Sequence, residues 1–268
     1  MTTISASLVK ELRDATGAGM MDCKRALEET QGDVEAARTL LREKGMAQAG
    51  KRAGRATTEG LVGSLVEGRH ATLAAVGCET EPVSKNDEFL RFAEKVLRTV
   101  AASGAEAVAS LEGDRVELVA KIGENVAVVG AERYEADGDE VLATYVHPPA
   151  NKIGVLVKIA GGTPELARQL AMHIAFAAPE WATREDVPPE AVAAEREIYA
   201  NSDEVLSKPE PAREKIVDGM LAKRFFAAQP GGVLADQPWI HDPALSVGKA
   251  LAEAGARVVA FRRLSVAG

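Results

Sequence analysis

Along the first fifty residues the apolar positions fall three and four apart, as on helices; further on they alternate in short runs bounded by glycine. Leu8 and Leu12 share one face of a first helix that Ser5 can cap and Gly17 can stop. A second helix opens at Asp22 and runs through Ala26 and Leu27 to Gly32. Asp33 caps a third, with Val34, Ala37, Leu40 and Leu41 on one side and Gly45 at its end. Three short helices enclose too little core to stand alone, so such a unit leans on a neighbour or binds something. Residues 46–58 shift to glycine, alanine and base, including Gly50, Lys51, Arg52, Gly54 and Arg55, and read as a solvated linker.

Strand patterning then occurs twice. Residues 60–66 and 71–77 form a hairpin through Glu67-Gly68, followed by an amphipathic helix over 87–102 with Phe89, Phe92, Val96 and Val100 on one face. The second copy has strands at 140–146 and 153–159. Its helix is capped by Thr163, opened by Pro164, lined by Leu166, Leu170 and Ile174, and over before Pro179. Between the copies, 114–122 reads as a helix and 125–129 as a strand. The pattern predicts an α+β fold, a duplicated core whose helices cover one face of each antiparallel sheet. Helical stretches at 189–200 and 212–228 flank Lys208-Pro209-Glu210-Pro211, which breaks a helix, and suggest a helical hairpin. A glycine- and proline-rich return over 229–243, a helix at 245–254 and a strand at 257–262 finish the chain. The resulting division is a three-helix N-terminal domain (1–45), a linker (46–58), a first core subdomain (59–138), a second (139–188 with 229–268) and the hairpin insertion (189–228).

Composition narrows the function. With aromatics at 4%, the core of this 268-residue chain is built from Ala, Val, Leu and Ile. The net charge of −8 argues against nucleic-acid binding, which needs basic patches to neutralise phosphates. No apolar run approaches the roughly 18 residues that span a bilayer. The segment Met1–Lys10 lacks the basic and apolar regions of a signal peptide, so the expected compartment is the cytoplasm. Cys23 and Cys78 fall in separate units and are expected as reduced thiols.

Catalytic motifs fail one by one. Residues 45–52, GMAQAGKR, imitate a phosphate loop, but Arg52 replaces the hydroxyl that holds Mg²⁺, and the stretch follows a helix rather than a strand. His70, His147, His173 and His241 have no metal-ligand spacing, and His173 sits with Leu170 and Ile174 as a core histidine would. Cys78, ending a strand, is the best nucleophile candidate; it needs a base in reach, and His70 is the one nearby in sequence. A buried structural thiol is the better reading. Neither metal nor cofactor nor covalent catalysis is expected, and the expected mode of action is binding to another protein.

Six stretches together resemble one family. They are LVKELRDATGAGMMDCKRAL (8–27), CETEPVSKNDEF (78–89), VAKIGEN (119–125), YVHPPANKIGVLVKI (145–159), AMHIAFAAPEW (171–181) and DQPWIHDP (236–243). In this order and spacing the chain resembles translation elongation factor Ts over essentially its whole length. The resemblance implies a guanine-nucleotide exchange factor of protein biosynthesis, whose partner in translation elongation is the GTPase elongation factor Tu. It also implies an N-terminal domain like the ubiquitin-associated type and a helical-hairpin insertion, and leaves a homo-oligomer open. Docking is implied through Leu12, Met20, Met21 and Lys24.

The resemblance further implies a core loop of family form Thr-Asp-Phe-Val, whose aromatic wedges between helices of the GTPase near its Mg²⁺. Here those positions read Thr80, Glu81, Pro82 and Val83, so the carboxylate is one methylene longer and the wedge is gone. Phe89 belongs to the next helix and does not replace it. Ile122 and Gly123 match a second contact segment, His147 a third, and Ile240 and His241 a fourth. The family often has apolar residues at both of the last two positions, which makes His241 another departure. Some members carry a C-terminal helical extension; this chain stops at FRRLSVAG, and that module's contacts are expected to be missing.

Overall fold

The computed structural model describes residues 4–267. Three helices come first, α1 (Ala6–Thr16), α2 (Met20–Glu29) and α3 (Val34–Arg52). Ser5 Oγ accepts the Leu8 N–H at 3.2 Å, and Gly17, at φ 66°, closes α1 in the left-handed conformation that glycine tolerates. Asp33 caps α3 by accepting the Ala36 N–H at 2.9 Å. The second helix starts two residues before Asp22, which lies in its first turn, where a carboxylate suits the helix dipole. Val9, Leu12, Cys23, Ala26, Leu27 and Ala37 form the core of this unit.

Gly45 does not end the third helix. The helix runs on to Arg52, so the non-helical connection is shorter than expected, and Lys51 and Arg52 occupy the last turn. The glycine serves close packing instead: a Cβ on it would stand 2.9 Å from that of Ala120 on a later helix. The imitation phosphate loop therefore lies within a helix.

Strands β1 (Glu59–Glu67) and β2 (His70–Cys78) follow, then the one-turn helix α4 (Glu81–Ser84), α5 (Asp87–Ser103), a 3₁₀ segment (Ala105–Leu111), α6 (Glu112–Ile122) and β3 (Val126–Glu135). The hairpin turn is Gly68-Arg69, one residue later than expected, because Glu67 pairs with His70 and Gly68 supplies φ 59°. The second half holds β4 (Glu140–Val146), β5 (Ile153–Ala160), α7 (Pro164–Ala177), α8 (Pro189–Ala200), α9 (Asp203–Leu206) and α10 (Glu210–Met220). A π-helical stretch (Leu221–Phe226), the short strands β6 (Pro238–Trp239) and β7 (Asp242–Ser246), α11 (Val247–Glu253) and β8 (Arg257–Ser265) complete it. Pro211 sits in the first turn of α10, where its missing N–H has no helical partner to lose, so the break is confined to Lys208-Pro209. Arg196 of α8 pairs with Asp218 of α10 at 2.7 Å, over a small core of Val205, Val217, Met220 and Leu221.

Two antiparallel three-stranded sheets result, ordered β1-β2-β3 and β4-β5-β8. Helix α5 buries Phe89, Phe92, Val96 and Val100 on the first, and α7 buries Ala167, Leu170 and Ile174 on the second. The faces left over pack on each other through Val62, Ala71, Leu73 and Ala75 against Leu156, Leu264 and Val266. This sheet-on-sheet contact was not expected from the strand patterns. It explains why Ala71 to Cys78 are all buried: β2 is covered on both sides. Among the described residues no helix is long and apolar enough to cross a membrane.

Candidate functional site

The Thr80–Val83 segment forms a turn projecting from the end of β2. Val83 is buried in the first subdomain's core, while Glu81 and Pro82 are exposed on α4. Lys85 holds the Glu81 carboxylate at 2.7 Å, and that hydrogen bond, with the ammonium's charge, keeps the carboxyl below its usual range. Thr80 reaches across to the end of α6, donating its hydroxyl to Glu124 Oε1 at 2.8 Å and its N–H to Oε2 at 3.0 Å. Gly123 caps α6 at φ 82°, and Ile122 packs against the same core as Val83. The loop and the Ile122-Gly123 segment, 40 residues apart in the chain by their numbers, are therefore one continuous surface.

Helix α6 also carries the three-helix unit. Beyond the Gly45–Ala120 contact, Lys121 packs over Gly17 and forms an ion pair with Glu88 at 3.2 Å. Of the residues implied there, Met20 and Met21 are 49% and 62% exposed, two adjacent apolar side chains at the surface. Lys24 is exposed, with Glu28 at 3.7 Å. Leu12 differs: it is fully buried among Val9, Cys23 and Leu27, so in the free chain it shapes the unit and offers no contact surface.

The second subdomain presents a groove of about 510 Å³, lined by Tyr145, His147, Ile153, Met172, Phe176 and Ile240 among others. His147 is held there by its Nδ1 contact with the Tyr145 hydroxyl at 3.0 Å. Ile240 is placed by His173, whose Nδ1 accepts the Ile240 N–H at 3.4 Å while Nε2 meets Gln237 Oε1 at 2.9 Å. Because Gln237 spends its own N–H groups on the carbonyls of Ala228 and Gly231, its oxygen is left to accept, and His173 is a neutral Nε2–H imidazole. Burial pushes its pKa down accordingly. The core reading of His173 thus holds. His241 is exposed, edge-on to Trp239 with ring centroids 4.8 Å apart, and does not line the groove.

The 147–152 loop joins the groove to the turn: Lys152 pairs with Glu59 at 2.6 Å and Asn151 O accepts the Val62 N–H at 2.7 Å. Glu59 lies opposite Cys78, two residues before Thr80. A path of contacts therefore runs from the three-helix unit through α6 and the Thr80 turn to the far groove.

Several members of this surface had no assigned role at the sequence level. Phe176 is 73% exposed and stands off the Leu166–Leu170–Ile174 stripe, a signal legible in the spacing. Glu79 and Glu124, which brace the turn, carry no such signal. Cys78 offers no nucleophile: it is buried, its thiol is pushed up to about 12 mainly by desolvation, and it donates to Thr80 O at 3.3 Å. His70 lies at the other end of β2, about 26 Å away at roughly 3.3 Å per residue. Among the described residues no group of three or more His, Cys, Asp or Glu is placed to hold a metal ion.

Comparison with known proteins gives the family of the chain. The family described as Elongation factor TS matches residues 79–268. An Elongation factor Ts of Idiomarina loihiensis is 44% identical over 98% of this chain and 91% of its own length. Elongation factor Ts proteins of Psychromonas ingrahamii and Klebsiella pneumoniae are 43% and 41% identical, covering 98% and 99% of this chain and 91% and 92% of theirs. With relatives aligned along nearly all of its length and the family matched from Glu79 to the last residue, the chain belongs to the elongation factor Ts family.

Proposed function

We propose that this chain promotes guanine-nucleotide exchange on elongation factor Tu in the cytoplasm, by binding and without covalent chemistry. The observation that carries the reading is the Thr80–Val83 turn, an exposed carboxylate and proline on a buried Val83 anchor. Linkage supplies the mechanism. A factor that binds the vacant GTPase better than the loaded one must weaken nucleotide affinity by the same ratio. The GTPase holds its nucleotide through a backbone cradle and Mg²⁺, and pressure on helices beside that cradle misaligns both. GDP then leaves faster, and abundant GTP rebinds and expels the factor.

The contacts divide the work. The three-helix domain, which we read as the ubiquitin-associated type over 1–45, docks through Met20, Met21 and Lys24. Glu81 and Pro82 press on the nucleotide domain, with Ile122 and Gly123 beside them. His147 and Ile240 hold a second region of the partner from the 139–188 and 229–268 subdomain. His241, outside the groove, is left with a rim role.

Release of a fluorescent GDP analogue from purified elongation factor Tu tests the proposal. Acceleration at micromolar factor is expected, and an unchanged rate overturns it. Pro82 favours a second reading, in which the chain binds without accelerating release because the family's aromatic is absent. That reading predicts a stable complex with unassisted GDP release.

A further inference from the structure

We infer that Glu124 is a positioning residue for nucleotide release, acting through a carboxylate clasp on the Thr80–Val83 turn. The inference rests on the exchange reading above. A threonine just before a helix ordinarily turns its oxygen onto the helix's first N–H groups. Thr80 does not; no N–H of α4 donates to its side chain. Its hydroxyl and its N–H instead take one oxygen each of the Glu124 carboxylate, at 2.8 and 3.0 Å. The bond is reciprocated one residue along. Glu79 Oε1 accepts the Asn125 N–H at 2.6 Å, and the Asn125 side chain donates to Arg55 O at 2.8 Å. Two neighbouring residues on each strand of chain are thus cross-tied, side chain to backbone in both directions.

Local structure makes the tie necessary. Helix α4 has four residues, far too few to persist on its own propensity. Within the turn, the Ser84 N–H reaches Thr80 O at 3.2 Å, so whatever fixes Thr80 fixes the helix that presents Glu81 and Pro82. Hydrogen bonds to a carboxylate are about twice as strong as neutral ones, which suits a strut. Gly123 aims Glu124 at its target: the space around it is open, so its φ of 82° and not crowding is what asks for glycine. A turn that transmits force has to be stiff. Released from Glu124, it still touches the partner but yields to it.

The test is GDP-analogue release from elongation factor Tu over a range of factor concentrations, with the full-length wild type, Glu124→Ala, Thr80→Val, Thr80→Ser and the Glu124→Ala/Thr80→Val pair. Glu124→Ala, which removes both bonds, is expected to lower the maximal release rate about five- to tenfold, and Thr80→Val, which keeps the N–H bond, by a smaller factor, each with the half-saturating concentration changed less than about twofold. Thr80→Ser keeps the hydroxyl and should keep the rate. The pair should be no worse than Glu124→Ala alone, because that change already removes both bonds to Thr80. Amide exchange over residues 81–86 should quicken in Glu124→Ala. A full maximal rate in Glu124→Ala beside an active wild type overturns the role, as does a loss lying wholly in the half-saturating concentration. An inactive wild type removes the exchange reading, and the role with it.

Discussion

Gly45 of α3 and Ala120 of α6 meet so closely that a Cβ on the glycine would stand 2.9 Å from the alanine's own. This crossing joins the N-terminal unit to the first subdomain, and it leaves no room for a larger residue. Gly45→Leu is expected to cost about 1–3 kcal/mol through overpacking, despite a helix-propensity gain of up to about 1 kcal/mol. Gly45→Ala should melt lower than the same change made together with Ala120→Gly, which reopens the space. Thermal denaturation of the set decides it; a Gly45→Ala protein melting above both would show that the helices have room to spare.

Leu12 and Met20 separate packing from docking. Leu12→Ala empties a fully buried position and should destabilise the unit by about 2–5 kcal/mol. Met20→Ala removes a half-exposed side chain, so melting should hold while binding to elongation factor Tu weakens by about 1–2 kcal/mol. Calorimetric titration and a melting curve on each variant distinguish the two. A stability loss in Met20→Ala as large as that of Leu12→Ala would contradict the division.

Pro82 and Glu81 share the exposed turn, and their replacements are expected to move in opposite directions. Pro82→Phe should raise the maximal rate of GDP release, by supplying the wedge that this chain lacks. Glu81→Ala should lower that rate by about tenfold, equivalent to about 1.4 kcal/mol, with a smaller change in affinity. Stopped-flow release with all three proteins measures both quantities. Equal losses of rate and affinity in Glu81→Ala would undo its assignment.

His173 makes the second subdomain sensitive to acid. Burial depresses its pKa in the folded chain, so the unfolded chain binds the proton first as pH falls. The associated stability is fully present above about pH 6.5, the ordinary imidazole value, and is lost from there downward at up to about 1.4 kcal/mol per pH unit. Between pH 7.5 and 5.5, wild type should therefore lose more stability in urea unfolding than His173→Gln. Parallel losses would show that His173 is not the group responsible.

Much of this architecture was legible in the chain because local chemistry and tertiary structure agree. Ser5, Asp33 and Thr163 cap the helices they precede, and the Phe89–Val100 stripe meets a sheet as its spacing says. The misses share a cause, which is that the deciding neighbour is remote. Gly45 looks like a stop until Ala120 is seen to need its missing side chain. Strand β3 extends to Glu135 because it pairs along all of β2, although Gly130, Glu132 and Arg133 interrupt its apolar run. The candidate site divides the same way: Met20, Glu81 and Ile240 are proposed from motif, whereas Glu124 is proposed from a bond to a residue 44 positions away.

The sheets pack so tightly that a Cβ on Gly154 would come within 2.5 Å of Val62 Cγ1. Sliding or tilting one half against the other would open the apolar seam of Val62, Leu73, Leu156 and Leu264. Under the exchange function proposed above, a molecule built this way would work like a fixed-gap caliper: when both jaws close on something softer, the object deforms and the tool does not.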